Sequence, residues 1–89
     1  MEYKLLNVME DRVFRAINDT LPQLGYCTCD RCKADVAAYT LSRIKPHYIS
    51  VPVDGPLPNT EGMGEQSDTE ILQIIVQAAD IVSSKPNHN

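Results

Sequence analysis

Long apolar runs are absent from this 89-residue chain, and no stretch of it is long enough to span a bilayer. The opening residues, Met-Glu-Tyr-Lys-Leu-Leu, lack the apolar core and cleavage site of a signal peptide. Excess positive charge is missing too. A formal net charge of −4 speaks against general nucleic-acid binding, which depends on neutralising phosphates. Histidine occurs only at His47 and His88, and no nucleophile–base pairing is visible. Gly62-Met63-Gly64 is a fragment of a Gly-rich run rather than a phosphate loop. No internal repeat is present. These absences point to a single non-enzymatic domain over residues 1–89 that uses no membrane. So short a chain buries a limited core, for which a bound metal or a second copy is the usual remedy.

Cysteine is scarce but concentrated. All three cysteines fall within Cys27-Thr28-Cys29-Asp30-Arg31-Cys32. An odd number cannot pair fully into disulfides. Three thiolates at this spacing can supply three corners of a tetrahedral zinc site, with each sulfur about 2.3 Å from the ion. The fourth ligand must come from elsewhere in the fold, from a partner chain or from water. Two other readings stand beside this one. Cys29 and Cys32 have the spacing of a redox pair, and a free cysteine can serve as a small buried hydrophobe. Clustered reduced cysteines suit a reducing compartment, with the cytoplasm as the default.

Charge is unevenly spread. Residues 1–48 hold seven of the eight Lys and Arg residues, while residues 49–89 hold only Lys85 against six acids. A basic pocket in the first half can hold a small anion. The alternative is a solvated helix face.

Periodicity predicts a mainly α fold of three to four helices. Leu5, Leu6, Met9, Val13, Ala16 and Ile17 mark an amphipathic helix over residues 2–18, ended by Pro22. A second helix is expected from Asp30 to about Lys45, with Thr28 or Asp30 as its cap and Pro46 as its stop. Cys32 then lies in the first turn, where the dipole and free amides favour a thiolate. Residues 49–66, rich in Pro and Gly, read as a long flexible loop; 49–53 can form a short strand that Pro52 confines to an edge. Ser67-Asp68-Thr69-Glu70 has the form of a capping box and opens a third helix. That helix is apolar almost all round, from Ile71 to Val82, which predicts a homodimer built partly on it. The alternative is a central helix packed between the other two. Residues 84–89 are expected to fray.

Taken together, Asn7-Val8-Met9-Glu10-Asp11-Arg12-Val13, Cys27-x-Cys29-x-x-Cys32-x-x-Asp35-Val36, Leu41 and Pro46-x-Tyr48 resemble the late-competence ComFB family of bacteria. The likeness covers residues 5–50 well, and the third helix fits by position and character. It implies a small helical homodimer with a zinc-type site at Cys27, Cys29 and Cys32. It also implies a receptor for a cyclic dinucleotide second messenger, cyclic di-GMP or cyclic di-AMP, regulating a process such as competence, motility or cell size.

Candidate ligand-binding residues are Arg12, Arg31, Lys33, Asp35, Arg43 and Tyr48. Arginine and lysine suit phosphates, and Tyr39 or Tyr48 suits a purine face. A symmetric ligand suits a two-fold dimer. The chain departs from the family at one point. Members with four cysteines carry a further one near the end of the last helix, where this chain reads Asp80-Ile81-Val82-Ser83-Ser84. His47, Asp35, a partner residue or water are the candidates to complete the set. A second function class is a zinc-braced adaptor that acts only through a regulatory protein partner.

Overall fold

A computed structural model describes residues 2–85. The elements run β1 (Tyr3–Asn7), α1 (Val8–Leu24), α2 (Asp30–Leu41), β2 (Tyr48–Pro52) and α3 (Asp68–Ser84). The fold is mainly helical, with three helices and one two-stranded sheet. Among the described residues, no helix is long and apolar enough to cross a membrane.

The first difference from the sequence pattern lies at residues 3–7. The helix expected from residue 2 starts only at Val8, and the chain before it is a strand. β1 pairs antiparallel with β2, Leu6 opposite Ile49 and Asn7 opposite Tyr48. Alternation then sends Leu6, Ile49 and Val51 inward, while Tyr3, Leu5 and Tyr48 stay exposed. Asn7 makes the break. Its backbone is extended, and its Oδ1 accepts from the Met9 N–H at 3.2 Å and the His47 N–H at 3.0 Å. One side-chain oxygen thus caps α1 and fixes where β2 begins.

The second difference is at Pro22. α1 runs through it to Leu24 and ends at Gly25, whose φ of 77° allows a left-handed cap. A proline in the last turn removes one intrahelical bond. Fully buried Leu21 offsets that, since such a side chain contributes about 1.5–3 kcal/mol.

α2 stops earlier than expected, at Leu41. The Ser42 backbone and hydroxyl both donate to the Ala38 carbonyl and turn the chain. Its N-cap is Cys29 itself, rather than Thr28 or Asp30. α3 starts as its capping box requires, with Ser67 and Glu70 satisfying each other's end amides. Ser84 is the last residue of α3, and residues 86–89 of the expected frayed tail, with His88, lie outside the described residues.

The core is a stripe on each helix. Met9, Val13, Ile17 and Leu21 from α1 meet Val36, Ala37 and Thr40 from α2 and Ile71, Ile75, Ala78 and Ala79 from α3. α3 packs against both other helices yet leaves Leu72 and Ile81 about half exposed. Arg12 meets Asp68 at one end and Tyr26 meets Asp80 at the other, so α1 and α3 run side by side in the same direction.

The stretch between β2 and α3 is irregular but tied down. Arg12 of α1, 8% exposed, donates to the Met63 carbonyl at 2.5 Å, the Gln66 carbonyl at 2.9 Å and the Asp68 carboxylate at 2.6 Å. Buried Thr60 donates to Asp11 at 2.6 Å and accepts from Arg15 at 3.1 Å. Gly64 has φ 94°, and a Cβ there would sit 2.5 Å from the Met9 sulfur.

Candidate functional site

The cysteines gather where α1 hands over to α2. Gly25 turns the chain, Cys27 and Cys29 lie exposed in the connection, and Cys32 is buried in the first turn of α2. The three sulfurs lie within 4.8 Å of one another. Ligands about 2.3 Å from one tetrahedral ion sit roughly 3.8 Å apart, so a small inward adjustment suffices. The Cys29 sulfur already accepts from the Cys32 N–H at 3.4 Å, the end-of-helix contact that favours a thiolate.

Without an ion, the buried Cys32 thiol resists ionisation. Burial pushes the Cys32 thiol up to about 12, and its neighbours Cys27 and Cys29 push in the same direction. A soft divalent cation removes that obstacle, because it holds the sulfurs as thiolates. The donor set therefore fits a zinc-type ion held by Cys27, Cys29 and Cys32. Such an ion would brace the α1–α2 turn.

Beside the cysteines lies an apolar pocket of about 140 Å³. Leu21, Val36, Ala79 and Val82 wall it, Cys27 and Cys32 open onto it, and Ser83 stands on the α3 side. The Tyr26 hydroxyl, also at this pocket, donates to Asp80, whose carboxylate raises the phenol above its ordinary range.

A second feature runs along the outer face of α2. Arg31, Asp35 and Tyr39 occupy successive turns, and Arg43 follows just beyond the helix end. Arg31 pairs with Asp35 at 3.4 Å. The Arg43 guanidinium lies 3.4 Å above the Tyr39 ring centre, a cation–π stack, and donates to the Tyr39 carbonyl at 3.1 Å.

The model of the family described as late competence development protein ComFB matches residues 6–86. The chain belongs to the ComFB family. Competence protein ComFB of Bacillus subtilis (strain 168) is 31% identical to it over 61 residues, 68% of this chain and 62% of that protein. The aligned segment thus spans a little under two thirds of that relative. The solved structure of the late competence protein ComFB from Bacillus subtilis superposes with a TM-score of 0.73 at 26% identity, covering 94% of this chain and 96% of that one.

Within this ComFB fold the sequence-predicted residues separate into groups. Cys27, Cys29 and Cys32 come together. Arg31, Asp35 and Arg43 share the α2 face with Tyr39. Lys33, two positions from Arg31, falls on a different side of the helix and is half-buried. Tyr48 lies on the outer face of the sheet, 62% exposed. Arg12 stands apart from all of these, clamping the chain between β2 and α3. His47 and Asp35 are outside the thiol cluster. His47 follows α2 and contributes its backbone to the Asn7 corner.

Two residues escaped the sequence reading. Ser83 faces the cysteine pocket, which required knowing where α3 ends. Thr60 holds Asp11, and no local pattern around Pro58-Asn59-Thr60 announces it. Thr60 keeps the Asp11 carboxyl below its ordinary range, assisted by Arg15 and opposed by partial burial.

Proposed function

We propose that this ComFB chain is a non-enzymatic, cytoplasmic receptor for a cyclic dinucleotide, working as a homodimer with a zinc-type ion bracing its fold. The observation that carries this reading is the Arg43–Tyr39 stack on an exposed helix face. The Arg43 guanidinium covers the Tyr39 ring and turns its own outer plane to a purine, and Arg31 on the same face supplies a guanidinium for a phosphate. Lys33, on another side of α2, adds to the positive field of the helix, Asp35 offers an acceptor to a purine edge, and Tyr48 offers a second aromatic surface. Arg12 acts indirectly, by holding the 53–67 segment. A two-fold ligand matches a pair of chains, each presenting one stripe. Binding would regulate a process such as competence, motility or cell size.

The test is titration calorimetry with cyclic di-GMP and cyclic di-AMP, using GTP and ATP as controls. The expected result is saturable heat from one cyclic dinucleotide alone. Arg31→Ala and Arg43→Ala should each weaken it about tenfold or more, the scale of a charge-assisted hydrogen bond. Absence of heat with both cyclic ligands, in folded protein, sinks the reading.

A second reading has its own support. Tyr3, Leu5 and Tyr48 form an exposed apolar face on the small sheet, 54%, 74% and 62% exposed respectively. Such a face suits a protein partner, including a regulatory one, with no small molecule involved. Retention of partner binding by Arg43→Ala and its loss in Leu5→Lys would favour this adaptor role.

A further inference from the structure

Three thiolates leave a tetrahedral ion one ligand short. The surroundings of the cluster determine what can fill the gap. The closely spaced donor group comprises Cys27, Cys29 and Cys32, with no histidine or carboxylate among them in the described residues. Ser83 is the α3 side chain best placed at the shared pocket, but its hydroxyl donates to the Asp80 carbonyl at 3.0 Å. A neutral alcohol is also a hard, weak donor for an ion already bound by thiolates. The Tyr26 hydroxyl, also at the pocket, is engaged with Asp80, and the other walls, Leu21, Val36, Ala79 and Val82, offer no donor.

We propose that the ion held by Cys27, Cys29 and Cys32 keeps its fourth position open toward this pocket and takes a small exogenous thiol there. The incoming sulfur sits on the ion, and its short carbon tail lies among Leu21, Val36, Ala79 and Val82. The pocket volume of about 140 Å³ suits such a tail, since apolar cavities near 150 Å³ accept guests as large as benzene. The exchange is balanced without any redox step. A metal–oxygen bond to water breaks, a metal–sulfur bond forms, water departs and the thiol proton passes to solvent. This inference is independent of any nucleotide bound on the α2 face, and its test reads the metal alone.

The full chain is loaded with Co²⁺, whose visible spectrum reports how many thiolates surround it, and titrated with ethanethiol, with ethanol as control. The expected result is a saturable shift of the d–d envelope and a rise in sulfur-to-cobalt charge transfer with ethanethiol only. Ser83→Cys should show the four-sulfur spectrum from the outset, ignore ethanethiol, and bind Co²⁺ about tenfold or more tightly than the wild type. Ser83→Ala should keep the wild-type response. Circular dichroism confirms that each variant is folded, and Ser83→Ala carries the test if Ser83→Cys is not. Four results overturn the proposal: no cobalt uptake, no response of the wild type to ethanethiol, an unchanged response in Ser83→Cys that folds, or loss of the response in Ser83→Ala. The last would make the serine hydroxyl a required part of the thiol site.

Discussion

At the N-terminal end of α3 the chain closes on itself with hydrogen bonds; at the C-terminal end it sets three thiols beside an apolar pocket. The first end meets most of its polar groups from within, though the buried Gln66 Oε1 has no partner there among the described residues. Arg12 meets two carbonyls and a carboxylate, and Thr60 meets Asp11 and Arg15. Every partner there is part of the chain. The second end is walled largely by apolar side chains, with the Tyr26–Asp80 hydrogen bond at its edge. Its thiols sit together but gain fully from their proximity only when a cation draws them into thiolates. On the proposed reading, a small domain is held at one end by its own side chains and at the other by an imported ion. The ends should then respond to different perturbations.

The largest contrast is expected from Cys32→Ser. Loss of a buried ligand should release the ion and lower stability by about 4 kcal/mol or more, the range of lost metal sites. Metal analysis and thermal melting check it. A stoichiometry near zero in the wild type, or no change on mutation, would erase the distinction between the ends. Arg12→Ala comes next. It strips the Met63 and Gln66 carbonyls of their donor and should cost about 2–4 kcal/mol in urea denaturation, with metal content unchanged. Asp68 limits the loss, because its carboxylate is 89% exposed and regains water. Gly64→Ala should cost about 1–3 kcal/mol, through its left-handed φ and the Met9 contact. Met9→Ala in that background should recover part of the steric share.

The smallest effects are those of pH, and they run in opposite directions. Asp11 has a folded-state pKa below its ordinary 3.8, so the unfolded chain takes up the proton first. Its contribution is present above about pH 4 and fades as pH falls through the lower folded value. Solvent screens this partly exposed carboxylate, so the change should be slight. Cys32 in the metal-free protein has the reverse sign. Its folded value of about 12 exceeds 9.0, so the unfolded chain loses the proton first. Stability is intact below 9.0 and declines as pH climbs toward about 12. Thermal melts of chelated and zinc-loaded protein from about pH 3 to about pH 10 separate the two. Zinc should abolish the alkaline decline and leave the acid one untouched.

Much of the α3 end was legible because its signals are local. Ser67 and Glu70 define a start within four residues, and the cysteine spacing announces a donor cluster before any fold is known. The helical class followed from apolar spacing along α1, α2 and α3. β1 was hidden for a physical reason. Leu5, Leu6, Met9 and Val13 fit a helical stripe, and no Gly or Pro separates Leu6 from Val8. The strand exists because β2, over forty residues away, supplies its ladder. Pro22 misled in the other direction, since burial of Leu21 holds the last turn of α1 together. Arg12 read as a candidate for an anion because its acceptors, Met63, Gln66 and Asp68, are carbonyls and a carboxylate from a distant stretch. Residue type alone does not distinguish a guanidinium that receives phosphate from one that fastens a loop.

Asn7 ties the timing of folding to its geometry. One oxygen receives amides from residues 9 and 47, and so cannot be satisfied until both stretches have met. The helices can begin to form from near neighbours within microseconds, whereas this corner requires a large loop to close. It should therefore belong to the late, downhill side of the barrier. Asn7→Ala should quicken unfolding in stopped-flow mixing while leaving the refolding limb of the chevron nearly where it was. A clearly slower refolding limb would mean instead that the corner nucleates the fold.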